Sequence, residues 1–154
     1  MKRTGAIGAL LDIYEQAISG LKEVVKQLPD DALTVIRDRN TPDENCRSIQ
    51  TILSHVVNSA YGYATSIHNI KGSELQRPEK IFHPGIGPYL QDLDAAFTFT
   101  ENVFKNLKDS DLEQFENSLK IRTRWGQIYD IEQLTEHAIV HVLRHKRQII
   151  NFLI

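Results

Sequence analysis

The sequence predicts an all-α protein, a four-helix bundle with long inter-helix connections. Three observations carry that prediction. Apolar residues recur at three- and four-residue spacings in four separate stretches. Clusters of Pro, Gly, Asn and Asp break the chain between those stretches. A chain of 154 residues, 41% hydrophobic and 25% charged, can bury a core as a single domain over residues 1–154 without disulfide support.

The first helix is marked by Ile7, Leu10, Leu11, Tyr14, Ala17, Ile18, Leu21, Val24, Val25 and Leu28, and Pro29 stops it. Positions 31–46 read as a loop, with Asn40-Thr41-Pro42-Asp43 as turn chemistry. The second run uses Ile49, Ile52, Leu53, Val56, Ala60, Tyr63, Ala64 and Ile67 and ends near Ile70. A polar connection follows, broken by Pro78, Pro84, Gly85, Gly87 and Pro88. The third helix is expected from about Tyr89 to Leu107. Leu119 to Tyr129 alternates in character around Trp125-Gly126, which predicts a short extended excursion. Asp130-Ile131-Glu132-Gln133 has the capping-box form and opens the last helix, which runs to the C-terminus. Helices of this length span roughly 30–37 Å. Their narrow apolar faces are covered only by packing on one another. The connections between helices 2 and 3 and before helix 4 exceed bundle norms, so a connection is expected to cross the bundle.

Charge and composition exclude several partners. The net charge is -2, with 18 Lys+Arg against 20 Asp+Glu, which argues against a nucleic-acid binder. No apolar run approaches the roughly 20 residues a membrane span needs. The N-terminal stretch has no signal-peptide pattern. Cys46 is the single cysteine, so no intrachain disulfide forms, and the reducing cytoplasm is the expected compartment.

The chemistry of the last helix lies in its histidines. His137, His141 and His145 are spaced by four. Side chains four apart on a helix stand roughly 5–6 Å from one another, close enough for two imidazoles to share one metal ion. On a helical wheel, with about 100° per residue, His145 lies about 20° from the inward direction and His141 about 60°. His137 lies about 100° away, at the rim. The spacing leaves a metal pair and two hydrogen-bonded histidines both open. Helix 2 supplies His55, which its own wheel puts roughly 120° from the centre of the apolar stripe. That placement suits a ligand only in a groove at the bundle's edge. Three neutral imidazoles plus a water would make an open site of the catalytic kind.

Ile52-Leu53-Ser54-His55 in helix 2, the stretch from Glu136 to Ile149 in helix 4 and the Arg124-Trp125-Gly126 lead-in together resemble the DinB superfamily, the DinB/YfiT-like metalloenzymes. The resemblance spans essentially the whole chain. It implies a four-helix bundle with one metal ligand on the second helix and an HxxxH pair on the last, which here are His55, His141 and His145. Many members read His-Arg-Gly-Gln where this chain has His145-Lys146-Arg147-Gln148; the histidine and glutamine are kept and the glycine is replaced. His137 is not the usual ligand. The resemblance further implies a divalent metal, nickel or zinc, a small-molecule substrate, a low-molecular-weight thiol as partner and a homodimer. The first expectation is a metal-dependent thiol S-transferase. The alternatives are a metal-dependent hydrolase and a non-catalytic dimeric stress or binding protein with a structural metal.

The remaining candidates carry less. Cys46 stands beside Arg47 and just before helix 2, where a thiolate would be favoured and a nucleophile is open, though an unremarkable cysteine is the simpler account. His68 and His83 have no spaced partners and are expected at the surface. Arg144, Lys146 and Arg147 form a basic cluster that could draw an anionic substrate, or simply complement the helix C-terminus. Glu136 faces away from the core and is not assigned as a general base. Trp125 and Tyr129 could roof a pocket, though packing is the simpler account.

Overall fold

The computed structural model describes residues 3–154. Four long helices make up most of it: α1 (Gly5–Val25), α2 (Ile49–His68), α3 (Ile86–Phe104) and α4 (Ile131–Phe152). A two-stranded hairpin, β1 (Ile121–Arg122) and β2 (Ile128–Tyr129), lies just ahead of α4, with Ile121 paired to Tyr129 and Arg122 to Ile128. This is the all-α bundle, with the extended excursion where the alternation predicted it. Leu21, Ile52, Leu93 and Ile149, one from each helix, are completely buried in the shared core. Among the described residues no helix is long and apolar enough to cross a membrane.

The helices do not follow one another around the bundle. α1 packs on α3 and α4, and α2 also packs on α3 and α4. So α1 faces α2 across one diagonal and α3 faces α4 across the other. The connections 26–48 and 105–130 therefore have to cross the bundle ends, which accounts for the length of the second of them. The α2–α3 connection joins neighbours, so its length has a different use. It runs back along α2, held by α2 side chains that donate to its carbonyls. Asn58 Nδ2 donates to Pro78 O at 3.0 Å, Ser54 Oγ to Ile81 O at 2.8 Å and Gln50 Nε2 to His83 O at 2.9 Å. A segment without regular structure is thus ordered because its backbone acceptors are satisfied by side chains. The strap is pinned further by His83, whose Nε2 lies 2.6 Å from Asp92 Oδ2 and whose ring meets Tyr89 edge-on. His83 is half-buried and not the surface residue its isolation in sequence suggested, because its partners come from α3.

Caps follow two patterns. α4 has the expected capping box, with Gln133 N donating to Asp130 Oδ1 at 2.8 Å and Asp130 N to Gln133 Oε1 at 3.0 Å. α2 has one between Ser48 and Thr51. α1 and α3 lack caps of their own and borrow distant ones. Asp109 accepts from the backbone N–H of Ala6 and Ile7, and Asp30 accepts from Ile86 N at 2.8 Å. The borrowed cap is why α3 starts at Ile86, ahead of the expected Tyr89. Pro88 falls in the first turn, where its missing N–H costs nothing.

Candidate metal centre

The seam between α2 and α4 brings together the three histidines. His55 Nε2 lies 3.0 Å from His141 Nε2. The ring centroids of His55, His141 and His145 are 4.5 to 5.1 Å apart pairwise. One ligand nitrogen from each falls within 4.8 Å of the others, a group that could hold a metal ion. An ion with bonds of about 2.0–2.1 Å places its nitrogens roughly 3–4 Å apart, so the side chains have only about an ångström to close. The wheel's most inward histidine is the most buried: His145 is 4% exposed, while His141 and His137 are both half-buried. His55 is also half-buried, at the edge of the bundle.

The donor chemistry fits a metal. His145 Nδ1 lies 2.9 Å from Gln148 Oε1. With the amide oxygen as acceptor, Nδ1 carries the proton and Nε2 keeps its lone pair. Gln148 thus orients a candidate ligand, a role that only its position in the family pattern hinted at. Ser59 Oγ stands 3.5 Å from His55 Nδ1, on the far side of the ring from His141. Burial, followed by the proximity of His145, holds the His55 pKa down at about 4 and that of His141 at about 2. Burial also lowers His145, against the opposing bond to Gln148. All three are neutral near pH 7, the form in which imidazole binds metal.

This arrangement sets a pH dependence for the metal-free chain. Unfolded histidines take up protons near pH 6.5, while the folded His55 and His141 resist until far lower. In between, the unfolded state binds more protons. Stability is full above about pH 6.5 and is lost as pH falls toward about 4. Thermal melts of stripped protein between about pH 7.5 and pH 5 should show a falling Tm. The slope should flatten in a His55→Gln/His141→Gln double variant; an equal slope in that variant would refute the assignment.

The centre opens on one flank into a cavity of about 450 Å³ whose wall includes His55, Tyr63, Trp125 and His137. That volume is in the range of small-molecule sites. Trp125 comes from the β1–β2 turn and stacks on His137, with ring centroids 4.8 Å apart and planes at 19°. Gly126, at φ +91°, permits the tight turn that presents it. Trp125 is therefore a wall of the cavity as well as a packing residue, while Tyr129 packs against the core. His137 lies beside the centre and outside the three-histidine group.

Other candidates fall away. Cys46 is buried, with Sγ 3.5 Å from Asp43 Oδ2, and burial raises the pKa of its thiol. The thiolate favoured by sequence position is thus disfavoured by the tertiary environment, and Ser48, two residues on, occupies the helix cap. His68 and Glu136 are exposed, as expected. Arg144 and Arg147 point to solvent, and neither they nor Lys146 line the cavity. The cations that do are Arg77, Arg122 and Arg124, from the strap and the hairpin; the sequence singled out only Arg124, in the lead-in to helix 4, and assigned none of them a role, because nothing local links them to the histidines.

Compared with known proteins, residues 1–153 match the family model described as the DinB family. No curated protein matches the chain.

Proposed function

The chain belongs to the DinB family, and from that premise we propose that it is a metal-dependent enzyme, acting as a single domain over residues 1–154. His55, His141 and His145 hold one divalent ion, nickel or zinc, and a remaining position faces the cavity. The observation that carries this reading is the convergence of three neutral imidazoles beside a cavity large enough for a small molecule. When bound, such an ion supplies Lewis acidity, making a water or thiol that it binds more acidic. The chain's own residues supply the rest. Gln148 sets the tautomer of His145, Trp125 and His137 wall the cavity, and Tyr63 stays protonated because burial raises its pKa to about 12.

Among reaction classes we favour transfer from or to a low-molecular-weight thiol. A hydrolase would be served by a carboxylate base against the attacking water, and among the described residues no Asp or Glu lines the cavity. A purely structural metal would be closed by a fourth protein ligand, and the candidate group has three members. A cytoplasmic homodimer remains part of the proposal. Two measurements test the reading together: elemental analysis of the protein as isolated, expected to give about one divalent ion per chain, and a transfer assay across several small thiols, expected to show turnover that is lost with the metal. A stoichiometric metal without any thiol turnover would redirect the reading to a binding protein.

A further inference from the structure

We propose that the cavity beside the three histidines contains an anion subsite, in which Arg77, Arg122 and Arg124 receive a carboxylate or phosphate on the end of the substrate remote from the reacting atom. The inference rests on the reading of this cavity as the substrate's, and it adds the substrate's chemical class.

The charge pattern points there. The chain as a whole is acidic, yet among the described residues this cavity is lined by three guanidiniums and no carboxylate. Some cations elsewhere find acids: Arg3 bonds Asp12, Glu15 and Glu101, and Lys22 bonds Asp94. Among the described residues none of the three cavity arginines has an ion-pair partner. They also come from two separate segments, so their meeting is a product of the fold. Arg77 arrives on the strap and Arg122 and Arg124 on the hairpin. The two sides are close enough that, after burial, the charge of Arg124 is the next influence lowering the pKa of Arg77. Like charges gathered in one concavity repel each other and attract an anion.

The wall makes room for one of them. A Cβ added to Gly62 would stand 2.8 Å from Arg77 Nη1, so the bare glycine lets the guanidinium lie against α2. Guanidiniums meet carboxylates and phosphates alike through paired N–H donors. Since His55 lines the same cavity, a molecule anchored by its anionic end would extend its other end toward the histidines.

Trp125 is the chain's one tryptophan and lines this cavity, so its fluorescence reads the site directly. The unaltered protein, His141→Ala and an Arg77→Gln/Arg124→Gln variant would each be titrated with inorganic phosphate, succinate and uncharged glycerol at constant ionic strength. The expected result is a saturable change with phosphate or succinate and none with glycerol. The more effective of the two anions identifies the group. The apparent Kd should rise at least about tenfold in the arginine variant, and a saturable response should persist in His141→Ala. A response that needs His141 and ignores the arginines would place the anion on the metal and overturn the subsite, as would the absence of any saturable change. If the protein carries no metal but the arginine-dependent response persists, the metal reading fails and the subsite stands.

Discussion

His141→Ala is expected to leave the purified chain with roughly a tenth or less of the divalent metal found with the unaltered chain, for which about one equivalent is expected. Changes to residues that merely orient a metal ligand cost about 10–100-fold in affinity. Loss of one of three protein ligands costs more. His141 is the central member of the group: its Nε2 lies 3.0 Å from that of His55, and its ring is the nearer neighbour of His145, at 4.5 Å between centroids. The variant should fold, because alanine favours a helix and the replaced side chain is only half-buried. Two companions sharpen the test. His137→Ala should keep its metal, since His137 stands outside the group, and Gln148→Ala should bind it more weakly without losing it, since Gln148 acts through His145. Elemental analysis of the dialysed proteins reads all three, and full metal retention by His141→Ala would overturn the assignment.

Phe97→Ala should be the most damaging change to the scaffold, destabilising it by about 3–5 kcal/mol and lowering Tm on the order of 10 °C. Phe97 is 6% exposed and lies in the α1–α3 seam. Its ring meets Tyr14 nearly edge-on at 5.7 Å between centroids, and the Arg3 guanidinium sits over it at 5.4 Å. Truncation removes the aromatic pair and the support beneath Arg3, and leaves a cavity that a bundle held at both ends cannot fully collapse. The candidate metal centre lies on the α2–α4 seam, so the folded fraction of Phe97→Ala should keep whatever metal stoichiometry the unaltered chain has. Denaturant unfolding together with elemental analysis separates the two effects. A loss below 1 kcal/mol would mean the seam repacks, and loss of the metal from folded Phe97→Ala would mean the two seams are coupled.

Much of the fold was legible because its signals are local. The spacing of apolar residues follows from 3.6 residues per turn, and the cap of α4 follows from four adjacent residues. The errors also have physical causes. The start of α3 moved because Asp30, far away in sequence, supplies its cap. The thiolate that the neighbours of Cys46 favour is disfavoured by burial, which nothing local announces. His83 looked unpartnered because its partners Asp92 and Tyr89 belong to α3, across the turn from the strap.

The six histidines and the arginines mark where each kind of information ends. The period of α4 alone pointed His141 and His145 inward and put His137 at the rim, since the helix's apolar side sets its orientation. His55 was different. Its own wheel left it at the flank, and it meets the other two only because α2 and α4 are neighbours in a bundle whose order sequence spacing does not encode. The same holds for the cavity's cations. Arg77 reaches it because α2 side chains hold the strap in place, and Arg122 and Arg124 because the hairpin folds back ahead of α4. Periodicity decides which way a side chain faces on its own helix; which side chains then share a site depends on how distant segments pack.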